Sequence, residues 1–239
     1  MLIADQIKER LKSVPDGVVL TLKDFNVAPQ YEIALVKSLS RLVAKGELEK
    51  ISKGRYYKPR KTMFGTLKPA PSEIAKDFLE KEGQLIGYIT GTAAFAMMGL
   101  TTQITSSIMI GSNKYRRPLK RREYNISFLL QPNQINEKNI PLLRILDAIR
   151  LIREIPAVTP NECIIRLAQL ITSLSKKDQE ELCALAELYT PYVRALLGAI
   201  MEMNNMDTYN LKTSLSGVTK YKLPISDGVL PTKQNWNIL

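Results

Sequence analysis

The stretch Ser38-Leu39-Ser40-Arg41-Leu42-Val43-Ala44-Lys45-Gly46-Glu47-Leu48-Glu49-Lys50-Ile51-Ser52-Lys53-Gly54-Arg55-Tyr56-Tyr57-Lys58-Pro59 decides the fold of the N-terminal region. Its first half ends an amphipathic helix that buries Leu35, Val36, Leu39, Leu42 and Val43 at 3.6-residue spacing, with Gln30, Ala34, Lys37, Arg41 and Lys45 on the opposite stripe. Gly46 stops the helix because, lacking a Cβ, it accepts the left-handed conformation of a C′ residue. Two short strands follow, 48–51 and 55–57, joined through Ser52-Lys53-Gly54 with Lys53 and Arg55 at the tip.

The residues in front complete a unit. Positions 2–14 place Ile3, Ile7, Leu11 and Val14 at helical spacing, and Pro15-Asp16-Gly17 supplies turn chemistry. Residues 18–20 read as a buried strand, and Thr21 as the N-cap of a brief helix through Phe25, its hydroxyl accepting from a first-turn N–H. After a turn at 26–29 comes the long helix and then the hairpin, which is the order of a winged helix-turn-helix over residues 1–61. A basic stripe alone is what any solvated helix face shows. The ordered pattern together with charge is what points to double-stranded DNA. The expected contacts are Gln30, Tyr31, Lys37, Arg41 and Lys45 on and before the helix, with Lys53, Arg55 and Lys58 on the hairpin.

The charge is uneven. The chain of 239 residues carries a net +11, and residues 1–62 hold 13 Lys/Arg against 7 Asp/Glu. Residues 112–124 hold 6 against 1, in a second basic patch made of Lys114, Arg116, Arg117, Lys120, Arg121 and Arg122, while the remainder is balanced. Two local surpluses suggest two contacts with a polyanion, since phosphate neutralisation releases condensed counterions in proportion to the phosphates met.

Other chemistry is poorly provided for. Histidine is absent, which removes the usual general base, the commonest zinc ligand and every Ser-His or Cys-His nucleophile. No glycine-rich phosphate loop, metal-ligand spacing or paired acidic motif appears, so neither an enzyme nor a cofactor or metal site is expected. Asp147 and Asp178 stand singly on helices, where a solvated face is the expected reading. Cys163 and Cys183 read as reduced packing thiols, and Trp236 as a packing anchor. The apolar runs are short and interrupted, so the expectation is a cytoplasmic protein with no membrane span.

The rest of the chain, 62–239, reads as a larger mixed α/β domain with a helical C-terminal half, making the whole α+β. Pro59, Pro69 and Pro71 suggest an extended linker over 59–72, with Ser72 capping a helix to Glu82. Residues 88–100 read as a strand end, a capped helix and a glycine stop; 107–110 and 124–130 are strand candidates with the second basic patch on their connection. Helices are expected over 141–153, 160–174, 176–189 and 191–204, with Thr159, Ser175 and Thr190 as caps, followed by a strand-like tail from Val218.

Taken together, the hairpin ending Lys53-Gly54-Arg55-Tyr56-Tyr57-Lys58-Pro59, the proline-rich segment, and Tyr88-Ile89-Thr90-Gly91-Thr92-Ala93-Ala94-Phe95 with Gly99-Leu100-Thr101-Thr102-Gln103 resemble the AbiEi-type antitoxins of bacterial abortive infection, the type IV toxin-antitoxin systems. The resemblance implies a transcriptional regulator that represses its own operon by binding inverted repeats in the promoter. It also implies an antitoxin that counters a nucleotidyltransferase toxin without a stable complex. Lys37, Arg41, Lys53 and Arg55 match that family's recognition helix and wing, and 114–122 matches a basic stretch in its second domain. The tail after about Asn204 has no match there. A ligand-responsive winged-helix repressor is the alternative.

Overall fold

A computed structural model describes residues 3–63 and 65–239. Leu2, where the first helix was expected to begin, and Phe64 lie outside the described residues. The fold is mixed α+β and divides into two compact units, one of residues 1–77 with 119–125 and one of 78–118 with 126–239.

In the first unit, α1 (Ile3–Ser13) leads into β1 (Val19–Thr21), a 3-10 turn (Leu22–Phe25), a second 3-10 turn (Pro29–Tyr31), α2 (Glu32–Ala44) and the hairpin of β2 (Glu49–Ser52) and β3 (Arg55–Tyr57). The strands form an antiparallel sheet of order β1-β3-β2. Ile7, Val14, Leu20, Phe25, Leu35, Leu39, Leu48 and Tyr56 fill the core beneath it. At the end of α2, Gly46 has φ +70°, its N–H donates to Val43 O at 3.0 Å, and the Glu47 N–H donates to Leu42 O at 3.0 Å. Those paired bonds are a Schellman closure, and they fix the angle at which the hairpin leaves the helix. At Thr21 the expected polarity of the cap is altered: the backbone N–H and the hydroxyl both donate to Asp24, at 2.6 and 2.7 Å.

Residues 59–72 are not a plain extended linker. Arg60–Thr62 (β4) and Gly65–Leu67 (β5) pair antiparallel, because the prolines sit outside the paired residues and leave every ladder donor in place. Ser72 is not a cap either: Ala70 is the N-cap and Pro71 opens α3 (Pro71–Ile74), with α4 (Lys76–Leu79) after it. The helix expected to reach Glu82 stops at Leu79. Glu82 and Gly83 both take positive φ, 53° and 77°, making a two-residue turn between β6 (Glu80–Lys81) and β7 (Gln84–Leu85). The first compact unit runs past residue 61 because the Glu73 carboxylate accepts the Val19 N–H at 2.9 Å on the open edge of β1, and Asp77 pairs with arginines.

The second unit begins with β8 (Gly87–Thr90) and α5 (Thr92–Met97), bracketed by Gly91 at φ +68° and Gly99 at φ +72°. β9 (Ser107–Ser112) pairs with β8 on one side and β11 (Tyr124–Leu130) on the other. The connection between β9 and β11 carries an extra strand, β10 (Leu119–Arg121), and turns at Arg122 with φ +51°; residues 119–125 belong to the first unit. Four helices follow: α6 (Ile140–Arg150), α7 (Pro160–Thr172), α8 (Lys176–Ala186) and α9 (Pro191–Met203). Thr159 and Glu162 form a capping box and Ser175 accepts from the Asp178 N–H, whereas Thr190 makes no side-chain cap bond and Pro191 alone sets the start of α9. A short helix, α10 (Tyr209–Thr213), precedes the tail. There the expected strand reduces to a single parallel bridge, Tyr221 to Ile238. Trp236 packs against Gly198 of α9, where an added Cβ would come within 2.2 Å of its ring. Both cysteines are free thiols whose pKa burial pushes up to about 11. Among the described residues no helix is long and apolar enough to cross a membrane.

Candidate nucleic-acid interface

Within the first unit, α2 buries Leu35 and Leu39 and turns Ala34, Lys37, Arg41 and, at its C-cap, Lys45 to solvent. Gln30 and Tyr31 are exposed too, but they stand in the 3-10 turn ahead of the helix, because Pro29 starts that turn and α2 begins only at Glu32. The hairpin tip adjoins this end of α2: Gly54, Lys23, Pro29 and Glu32 line one groove of about 580 Å³. Lys53, exposed at the tip, Lys37 and Arg41 make no ion pair among the described residues. At the opposite end of α2 a second groove, of about 430 Å³, gathers Lys8, Lys12, Lys45, Lys58 and Lys61 around Leu11 and Leu42. Lys8, Lys12 and Lys61 are absent from the sequence reading, since the fold alone brings α1 and β4 to the end of α2.

Two hairpin cations are held in ion pairs. The Arg55 guanidinium donates to Asp77 at 2.6 Å with its side chain only 26% exposed, and Lys58 pairs with Asp16 at 2.8 Å. A phosphate would have to compete with a carboxylate of the same unit for either of them.

The second basic patch is not one surface. Arg121 is buried, 4% exposed, and its guanidinium grips both oxygens of Asp77 at 2.6 and 2.8 Å while donating to Ile74 O. Burial works against the Asp77 carboxylate, yet the hydrogen bonds and charge of Arg121, with the charge of Arg55, hold its carboxyl below the usual range. Arg122 pairs with Glu49, and that bond, joined by one from the Tyr57 hydroxyl, lowers the Glu49 pKa. In the second unit Arg116 lies over the Phe78 ring, 5.3 Å from its centroid. Lys114, Arg117, Lys120 and the ion-paired Arg122 are the exposed members, and the division between the units falls among them, with Lys114 and Arg117 in the second and Lys120 and Arg122 in the first.

The feature that sequence reasoning missed is a closed polar network in the second unit. Asp147, expected on a solvated face, is fully buried. Its carboxylate accepts the Tyr88 hydroxyl at 2.6 Å, the Thr90 hydroxyl at 2.7 Å and the Tyr189 hydroxyl at 2.8 Å. Gln131 donates to both tyrosine oxygens, at 2.9 and 2.6 Å, and its own carbonyl accepts from Asn133. Burial pushes the Asp147 carboxyl above the usual range against the pull of the three hydroxyls, and it raises both tyrosines as well. Every partner lies more than 40 residues away in sequence. The only available signal was Tyr88-Ile89-Thr90-Gly91: alternation along a strand puts Tyr88 and Thr90 on one face.

The chain belongs to the family described as DUF6088, a family of unknown function, whose profile matches residues 6–182. No protein of curated function matches the sequence significantly. Among solved structures, the crystal structure of RV2827C protein from Mycobacterium tuberculosis is similar in fold, with a TM-score of 0.56 and 15% identity over 92% of this chain and 84% of that one. A likeness at that identity concerns the fold alone.

Proposed function

We propose that the first unit is a winged helix-turn-helix that binds double-stranded DNA, with α2 as recognition helix and the β2–β3 hairpin as wing. The observation that carries this reading is the placement of unpaired cations: Lys37 and Arg41 along the outward face of α2, and Lys53 at a tip that adjoins the start of that helix. Cations held this way meet phosphates at little internal cost, whereas Arg55 and Arg121 are engaged by Asp77 and the exposed Arg122 by Glu49. With the resemblance to AbiEi-type antitoxins, the reading extends to a cytoplasmic repressor of its own promoter that counters a co-encoded nucleotidyltransferase toxin and is not itself an enzyme.

The test separates the two activities in the full-length chain. The variant Lys37→Ala/Arg41→Ala/Lys53→Ala is expected to lose repression of a reporter driven by the native promoter, yet to rescue growth when the neighbouring toxin is induced from a heterologous promoter. Retained repression overturns the winged-helix assignment. Repression without any rescue by the wild-type chain favours a ligand-responsive repressor.

A further inference from the structure

The outward face of α2 is not uniformly cationic. Ile33, in its first turn, is 73% exposed, although Leu35 and Leu39 on the same helix are buried at 1% and 0%. Helical spacing puts Lys37 four positions after it and Arg41 eight after it, so these three share one stripe, and exposed Gln30 stands in the 3-10 turn just ahead of the helix. Ala34 beside it is exposed and has no bulk to hold the helix away from a groove. From that turn into the helix, the exposed order runs from amide to aliphatic to cations.

That order matches the depth profile of a helix entering a major groove by its N-terminus. Base edges meet the first turn, and phosphates meet the later cations. A branched aliphatic side chain offers nothing to a phosphate or to a hydrogen-bonding base edge. It does offer van der Waals contact and desolvation to a methyl group, and only thymine displays one in that groove. Resting on the DNA-binding reading above, we infer that Ile33 is a specificity-determining residue which packs on the 5-methyl group of a thymine, so that α2 selects an A·T pair at that position.

Removing the methyl tests this. Full-length protein is used to select duplexes from a random-sequence pool, and each thymine of the selected site is replaced singly by uracil, which keeps all Watson–Crick chemistry. At one position uracil is expected to weaken wild-type binding about fourfold, the gain expected from burying one methyl group. Ile33→Ala should bind the thymine duplex about fourfold more weakly or worse and no longer distinguish thymine from uracil there. An unchanged melting temperature shows that the variant is folded, since Ile33 lies outside the core. A methyl preference that persists in Ile33→Ala, or the absence of any methyl-sensitive position, overturns the inference and leaves Ile33 open as a protein contact. Failure to select any duplex, with salt-independent binding unaffected by Lys37→Ala, overturns the DNA reading itself.

Discussion

The two units treat a carboxylate in opposite ways. In the first, Asp77 is a half-exposed anion clasped by Arg121 and Arg55, and its pKa falls. In the second, Asp147 is sealed from water among three hydroxyls, with no ion pair among the described residues, and its pKa rises. The first unit is built on charge, its small core braced by ion pairs while other cations are left outward. Most of the apolar core belongs to the second, where the buried polar groups around Asp147 are hydrogen-bonded to one another. On the DNA-binding reading proposed above, the first unit must tolerate concentrated positive charge, and its ion-paired carboxylates relieve part of that repulsion. A domain whose polar network is closed gains positional definition instead.

The largest break in this contrast should come from Asp147→Ala. It leaves the Tyr88, Thr90 and Tyr189 hydroxyls without their acceptor in a dry core, at a cost of about 3–5 kcal/mol. Trp236 is the chain's single tryptophan and lies in the second unit, so its fluorescence in a urea titration reports that unit's transition. A midpoint within error of wild type would mean that the network does not hold the unit together. Gly198→Ala should come next, about 1–3 kcal/mol in the same titration, because the new methyl meets a rigid indole.

The pH dependence should carry opposite signs. A carboxyl raised on folding favours the native state at low pH, so the Asp147 contribution is complete below about pH 4 and is lost as pH climbs through the raised value. A carboxyl lowered on folding does the reverse. The Asp77 contribution is present above about pH 4 and disappears as pH falls through its depressed value. Stability of wild type minus that of Asp147→Asn should therefore decline with rising pH, and the same difference for Asp77→Asn should increase. Parallel slopes from pH 3 to 7 would erase the distinction.

How much of this was written locally explains which parts the sequence disclosed. Gly46, Gly54 and Gly99 each take the positive φ that their place after a helix or in a turn demands, and Thr159-Pro160 and Ser175 announce helix starts through bonds three residues long. Outward residues of α2 were legible from the 3.6-residue period for the same reason. What escaped depends on partners far along the chain. The apolar neighbours of Asp147 do not name the hydroxyls that would meet it, and nothing in 114–122 says that Arg121 would turn inward to Asp77, 44 residues before it. Proline content misled over 59–72, where the hairpin arises from the residues between the prolines.

The finest test asks whether the cations of the first unit divide into outward and inward sets. A side chain that neutralises one phosphate contributes about one to the slope of log affinity against log salt concentration. Lys37→Ala, Arg41→Ala and Lys53→Ala should each flatten that slope by about one and weaken binding to specific and unrelated duplexes alike, while leaving the urea midpoint of the first unit unchanged. Arg121→Ala should do the opposite. It removes the bidentate partner of Asp77 and the donor to Ile74 O, so the unit unfolds at lower urea, yet the salt slope measured well below that midpoint stays near the wild-type value. Lys120, exposed one residue before Arg121, is the informative neighbour. A flattened slope in Lys120→Ala would put this strand against DNA as well; an unchanged slope confines phosphate contact to α2 and the tip of the wing.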